Sequence, residues 1–381
     1  MSLSILAFIF SVILFVLLFL YLSGLIVLAK DLKTNSQANS TYLPPISIIV
    51  SLHNEQNNAE SCILRLLGQD YPTDKLEIIL VNDRSKDKTL EIIKSYALQN
   101  PQIIMLSIDN QLPDFAPKKR AIDKAIRLAK GDIILLTDAD GRPQPSWART
   151  MVAYFSEQVG MVIGYAPYMT HAPYDHLVHK LLALEYFTHA AIAAASATIG
   201  YPVTCVGTNM AYRKIVYTQL GGFGKFKQFP SGDDDLFLQQ VHEKTNWQIV
   251  YATAPAAHVA NAPPLTWKKF YNQRLRYASK GFFYSWKLIL SLSLFYFLNL
   301  QLILFPFLLL CTIKVSYLLV IAFFIKATGE LFFLHRAANF LNDKRHLRYY
   351  SLAFFLHPLY VVYFGLMSQL TPFEWAGSRR K

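Results

Sequence analysis

The run Ile133-Ile134-Leu135-Leu136-Thr137-Asp138-Ala139-Asp140-Gly141 ends an apolar stretch in two carboxylates one residue apart, with glycine directly after. On extended backbone, residues i and i+2 face the same side, so Asp138 and Asp140 can converge on one hard cation. Gly131-Asp132 opens the run abruptly, as a short central strand requires. A carboxylate pair at the C-terminal edge of an open α/β sheet stands where such folds bind ligands. A lone pair of this type is more often a solvated turn, so its weight depends on what else the chain supplies.

The elements that must position the pair come first. After a polar stretch ending in Pro44-Pro45, the pattern alternates. Strands are expected at 46–52, 77–83, 103–108 and 132–138, with helices at 59–69, 88–99 and 118–130. Repeated β-α units of this length imply a mainly parallel sheet covered by helices. His176, His179 and His189 offer no third ligand at metal-site spacing and read as surface or core residues. The three cysteines, Cys62, Cys205 and Cys311, are dispersed, so neither a disulfide framework nor a zinc site is indicated.

The flanks are of another kind. Ser2 to Ala29 carries no charge and is long enough to span a bilayer, and it lacks the basic start and cleavage site of a signal peptide. Apolar character returns at 288–312, 315–334 and 352–370, giving four expected spans. Lys326 and Glu330, four apart on the middle one of these three, read as an intramembrane ion pair. The formal net charge of +12 would suggest nucleic acid in a soluble chain. Here Lys268, Lys269, Arg274, Arg276, Lys280 and Lys287 crowd just before the second span, which suits anionic lipid on the cytoplasmic side and excludes a nucleic-acid partner. The expected organisation is an N-terminal transmembrane helix (1–30), a cytoplasmic catalytic domain (44–264), an amphipathic interfacial segment (265–287), C-terminal transmembrane helices (288–370) and a basic tail (371–381). An integral protein of a bacterial inner membrane follows.

Several further motifs stand in a fixed order: Ser47 to Glu55, Gln69-Asp70-Tyr71-Pro72, and Val81-Asn82-Asp83-Arg84-Ser85-Lys86-Asp87. Lys118 before Ala121-Ile122 comes next, then the D-x-D. Val206 to Arg213, Gly221-Gly222-Phe223, Ser231-Gly232-Asp233-Asp234-Asp235-Leu236 and Gln273-Arg274-Leu275-Arg276-Tyr277 complete the set. With these, residues 44–285 resemble the family 2 glycosyltransferases, which have a GT-A fold. The resemblance implies a metal-dependent, inverting transfer from a nucleotide sugar, with UDP as the expected nucleotide. Lys118 is thereby expected near the donor phosphates, and Gln273, Arg276 and Tyr277 near the acceptor or the diphosphate.

The chemistry can be argued from charge. A nucleoside diphosphate leaves with growing negative charge, which Mg²⁺ or Mn²⁺ held by Asp140, with Asp138 beside it, would stabilise. Asp83 can accept from the uracil N–H, and Ser51 and Glu55 would line the same cleft. The acceptor hydroxyl needs a base, and an ionised carboxylate of the acidic triplet can serve. Keeping Asp235-Leu236 in register with the family's E-D-x-D-L selects Asp233, which is preferred, and matching adjacent acids alone selects Asp234. Acids at a helix start are also favoured by the helix dipole without any catalytic role. Tyr277 stands where the family usually has Trp, which weakens the reading as a processive polysaccharide synthase. A single transfer to a lipid-linked or saccharide acceptor, in cell-envelope glycan or glycolipid synthesis, is preferred over that and over a non-catalytic membrane scaffold. A nucleotidyltransferase would need a Gly-rich loop where Ser51-Leu52-His53-Asn54-Glu55 stands.

Overall fold

The computed structural model describes residues 3–32, 41–309, 316–375 and 378–380. It divides into two compact units, one of Lys33–His179 with Ile192–Pro263, the other of Met1–Leu32, Lys180–Ala191 and Pro264–Lys381.

Helix α1 (Leu3–Lys30) belongs to the second unit. The first unit then runs β1 (Ile46–Leu52), α2 (Ala59–Leu67), β2 (Leu76–Asp83), α3 (Thr89–Gln99), β3 (Ile103–Ile108), α4 (Pro117–Leu128) and β4 (Ile133–Leu136). It continues with β5 (Arg142–Pro143), α5 (Trp147–Val152) and β6 (Val159–Gly164), and with the ends of α6 (Leu177–Thr198). Then come β7 (Met210–Arg213), α7 (Lys214–Gln219), α8 (Asp235–Lys244), β8 (Gln248–Ala252) and β9 (Val259–Ala260). The described residues form a seven-stranded sheet in the order β3-β2-β1-β4-β7-β6-β8. Only β7 runs against its neighbours. The expected mainly parallel sheet is therefore present.

The strands form where the sequence is β-branched and apolar on both faces. β1 is buried at every position but Ser51, and β4 at all four of its positions, as parallel strands covered by helices must be. β4 is shorter than expected. It ends at Leu136, and a turn closed by Gly141 N donating to the Asp138 carbonyl (3.0 Å) follows. Asp138 and Asp140 thus sit beyond the strand, in that turn. Two recognisable motifs serve packing here. The Gln69 amide donates to the carbonyls of Arg65 and Gln144 and accepts from Ala148 N, and Tyr71 donates to the Pro44 carbonyl. Fully buried Asn209 accepts from Trp147 Nε1 (3.0 Å) and donates to the carbonyls of Tyr165 and Ala257 (2.8 Å each), fixing the entry to β7.

The second unit contains α9 (Trp267–Ala278), α10 (Trp286–Leu309), α11 (Ser316–Phe340) and α12 (Tyr350–Leu370), besides α1 and the middle of α6. Three stretches among the described residues are long and apolar enough to cross a membrane: Phe8–Lys30, Trp286–Leu304 and Leu347–Leu370. α11 is not among them; the expected span at 315–334 includes positions outside the described residues, so the count of three is one of the described residues alone. Lys326, Glu330 and Arg336 interrupt its apolar sequence. The Lys326–Glu330 pair forms (2.7 Å), and Tyr21 of α1 and Tyr350 also donate to Glu330. The 371–381 stretch is no plain tail, because β10 (Phe373–Trp375) pairs antiparallel with β11 (Ser378–Arg380). Phe373 is buried with Leu275 of α9 and Phe364 of α12.

Candidate active site

The site is built at one edge of the sheet. The C-terminal ends of β1, β2 and β4, the start of α4 and the segment leading into the reversed β7 all meet there. The loops after β1 and β2 lock each other. Asn54 N donates to Ser85 Oγ and its side chain accepts from Lys86 N, Gln56 N donates to Asp87, and Glu55 N donates to Thr89 Oγ1 at 2.8 Å. Asn54 and Arg84 adopt positive φ, both 56°, in the left-handed region that Asn visits more readily than Arg.

Lys118, in the first turn of α4, bridges two carboxylates far apart in sequence. Its Nζ lies 2.8 Å from Asp138 Oδ1 and 2.9 Å from Asp233 Oδ2. Burial works to lower the Lys118 pKa, but the charges of Asp138 and Asp233 together outweigh it and hold the ammonium above the usual lysine range. Thr208 Oγ1 donates to the other oxygen of Asp138. Asp234 caps α8, where its Oδ1 accepts from Asp235 N (2.8 Å) and its Oδ2 from Gly207 N (3.2 Å). A Cβ at Gly207 would stand 3.3 Å from Asp233 Oδ2 and 3.5 Å from Lys118 Nζ, so glycine keeps that approach open.

The expected residues divide as follows. Asp138, Lys118, Asp233 and Asp234 come together in one charged cluster. Asp140 is exposed, and its carboxyl is held above the usual range by desolvation in the cleft, then by the charges of Asp138 and Glu55. Solvent at its exposed side chain moderates that effect. Glu55 also accepts from Asn58 (2.8 Å), and Ser51, next to last in β1, is half-buried. Asp83 is buried and chelated by Arg84, Nε to Oδ1 at 2.7 Å and Nη2 to Oδ2 at 3.0 Å. Gln273, Arg276 and Tyr277 lie half-buried on α9 in the helical unit, where the Tyr277 ring receives Arg276 at 5.0 Å and Arg274 at 5.6 Å.

Sequence reasoning passed over three participants: Thr208, Arg84 and Arg274. Thr208 and Arg84 lie inside quoted motifs, but nothing in their types separates a ligand-facing role from a supporting one. Arg274 is 1% exposed and pairs with Glu185 of α6 at 2.8 Å. Its neighbour Arg276 carries the same charge in the same motif, so only the fold tells them apart.

Residues 47–220 match the family model described as Glycosyl transferase family 2. Among known proteins, the chain is 27% identical over 247 residues to a probable glycosyltransferase, YdaM, of Bacillus subtilis, covering 63% of this chain and 56% of that protein. It is 25% identical over 253 residues to an N-acetylglucosaminyltransferase of Rhizobium leguminosarum bv. phaseoli, covering 63% and 55%. The chain thus spans about half the length of the curated relatives it matches. Among solved structures, the mannosyltransferase PcManGT of Pyrobaculum calidifontis, in complex with GDP-Man and Mn²⁺, superposes with a TM-score of 0.62 at 18% identity. That alignment covers 97% of this chain and 99% of that one.

Proposed function

Starting from a chain that carries a family 2 glycosyltransferase domain on a GT-A fold, we propose that it moves a sugar from a nucleoside diphosphate donor, UDP-linked, to a hydroxyl of a lipid-linked or saccharide acceptor at a membrane. Transfer inverts the anomeric carbon and adds a single sugar. The observation that carries this reading is the Asp138–Lys118–Asp233 bridge. It unites the D-x-D turn, the start of α4 and the acidic triplet in one cluster, where separate surface charges would have no reason to meet.

In this reading the nucleoside lies against Ser51, Glu55 and Asp83, and the Lys118 ammonium faces the growing charge of the diphosphate. Asp234 is the base. It is half-buried, whereas Asp233 is 5% exposed and engaged by Lys118, so an acceptor hydroxyl reaches Asp234 more readily. This reverses the preference for Asp233 drawn from motif alignment. Asp233 instead holds Lys118 in place. Gln273, Arg276 and Tyr277 serve the acceptor.

The residues fit a divalent cation. Asp140 is crowded by Asp138 and Glu55, a concentration of negative charge that a hard cation relieves. Among the described residues no group of three His, Cys, Asp or Glu side chains is arranged to hold a metal, so protein ligands alone do not complete a site. Asp140 and Asp138 would hold Mg²⁺ or Mn²⁺, which when bound supplies positive charge to the leaving diphosphate. Among the described residues three helices are apolar and long enough to span a bilayer, which supports a place in a membrane; the basic residues crowded just before the second of them favour a cytoplasmic catalytic unit.

The test is release of nucleoside diphosphate by the detergent-purified chain across a panel of nucleotide sugars with Mg²⁺ or Mn²⁺, beside Asp140→Ala. Turnover of one donor, lost in the variant, is expected. Neither turnover nor binding of any donor would leave the scaffold reading in its place.

A further inference from the structure

The first turn of α4 holds two adjacent lysines with different tasks. Lys118 reaches the carboxylates described above. Lys119, about 100° further round the helix, is 1% exposed, and its Nζ donates to the carbonyls of Phe226 (2.7 Å) and Ser231 (2.8 Å). Its ammonium also lies over the rings of Phe223 (5.7 Å) and Phe229 (5.9 Å). A third tie joins the same two segments, Ala116 N donating to the Lys227 carbonyl at 2.8 Å.

The placement of these carbonyls matters. Ser231 directly precedes Gly232, whose φ of +77° turns the chain, and a Cβ at Gly232 would collide with Leu236. Asp233 and Asp234 follow at once. An ammonium grips both ends of the 226–231 loop from inside, so the exit of that loop, and with it the direction of both carboxylates, is set by α4. A solvated lysine would be a poor choice for a structural tie, because burying its charge costs several kcal/mol unless strong acceptors replace water. Two aligned carbonyls and two aromatic faces supply that replacement.

We propose that Lys119 is a positioning residue for the acidic triplet: it fixes the 226–232 loop so that Asp233 meets Lys118 and Asp234 meets the acceptor. The proposal rests on the transferase reading for its kinetic consequence, but the positioning itself is independent of it. Two measurements on the detergent-purified full chain separate these. In amide hydrogen exchange, Lys119→Met raises exchange of residues 227–236 by about tenfold or more while β1 to β4 stay protected. Unchanged exchange in that segment would overturn the positioning role whatever the enzyme does. In kinetics, kcat falls in the order wild type, Lys119→Gln, Lys119→Met, by about tenfold or more at the last, with donor KM within about twofold. Gln keeps N–H donors for the carbonyls but on a shorter stem and without the charge, so it stands between. A parallel rise of donor KM, or a Gln variant equal to wild type, would contradict the kinetic half. Should Lys119→Met fail to fold, Lys119→Gln alone carries both readings, with the same segment-limited exchange expected and unchanged exchange refuting.

Discussion

Replacing Lys118 by Met removes one ammonium from between two carboxylates and leaves the side chain's length and bulk nearly intact. The side chains of Asp233 and Asp138 are 7% and 32% exposed, and that of Lys118 is 26% exposed. At an effective dielectric constant of about 20, unit charges at the observed separation attract by roughly 6 kcal/mol, a ceiling that desolvation of the three groups offsets in large part. Removing one partner of a buried pair costs about 3–5 kcal/mol, and of an exposed pair about 0.2–1 kcal/mol. The Asp233 contact lies near the first limit and the Asp138 contact near the second. Asp138 also keeps its bond from Thr208. The net loss for Lys118→Met is then about 2–4 kcal/mol. For a domain of this size it lowers the thermal midpoint by roughly 5–12 °C. Thermal unfolding of the purified chain measures this. A cycle with Asp233→Asn should show the two losses overlapping by at least about 1 kcal/mol. A shift under about 2 °C, or losses that simply add, would refute the bridge as the organising contact of the site.

Further expectations concern single residues. Asp234→Asn keeps a capping side chain but removes the base, so kcat should fall about 10²–10⁴-fold with donor binding retained; Asp233→Asn should lower the thermal midpoint more than Asp234→Asn does, and the reverse ranking would return the base to Asp233. Asn209→Ala leaves the Trp147 indole and two carbonyls without a buried partner and should cost about 3 kcal/mol or more, read as a lower unfolding midpoint; a midpoint within about 1 °C of wild type counts against this role. In the helical unit, burial works to raise the Glu185 carboxyl, but Arg274 foremost, with His189 and Tyr360, outweighs it and brings it down to about 2. A depressed carboxylate contributes stability that is full above its unfolded value near 4.5 and is lost as pH falls toward 2, roughly 3 kcal/mol in all. Wild type should therefore lose more stability than Glu185→Gln across that window, and parallel losses would contradict the pairing.

How much of this could be read in advance follows from what each signal reports. β1 and β3 begin and end where expected, because buried parallel strands are continuous apolar runs bounded by polar turns. β4 ends two residues early, because Asp138 answers to Lys118 and Thr208, which pairing of strands cannot anticipate. The D-x-D and the acidic triplet stand out as clustered charge. Which acid is bridged by the ammonium and which is held by backbone N–H groups depends on Lys118 and Gly207, which lie far apart in sequence. Lys118 and Lys119 are alike in sequence and differ only in direction. The motif at Gln69 and the Asn209 amide are as recognisable as the carboxylates, yet they hold backbone together.

The central claim is transfer of a sugar by the Asp138–Lys118–Asp233 cluster and Asp234. Its most direct measurement follows labelled sugar from the donor that turns over into an extract of membrane lipids and glycans, with wild type, Asp234→Asn and chelator-treated enzyme side by side. The account predicts one labelled sugar added per acceptor by wild type, and none by the variant or without divalent cation. Label released only to water, a ladder of product lengths, or full transfer by Asp234→Asn would contradict it.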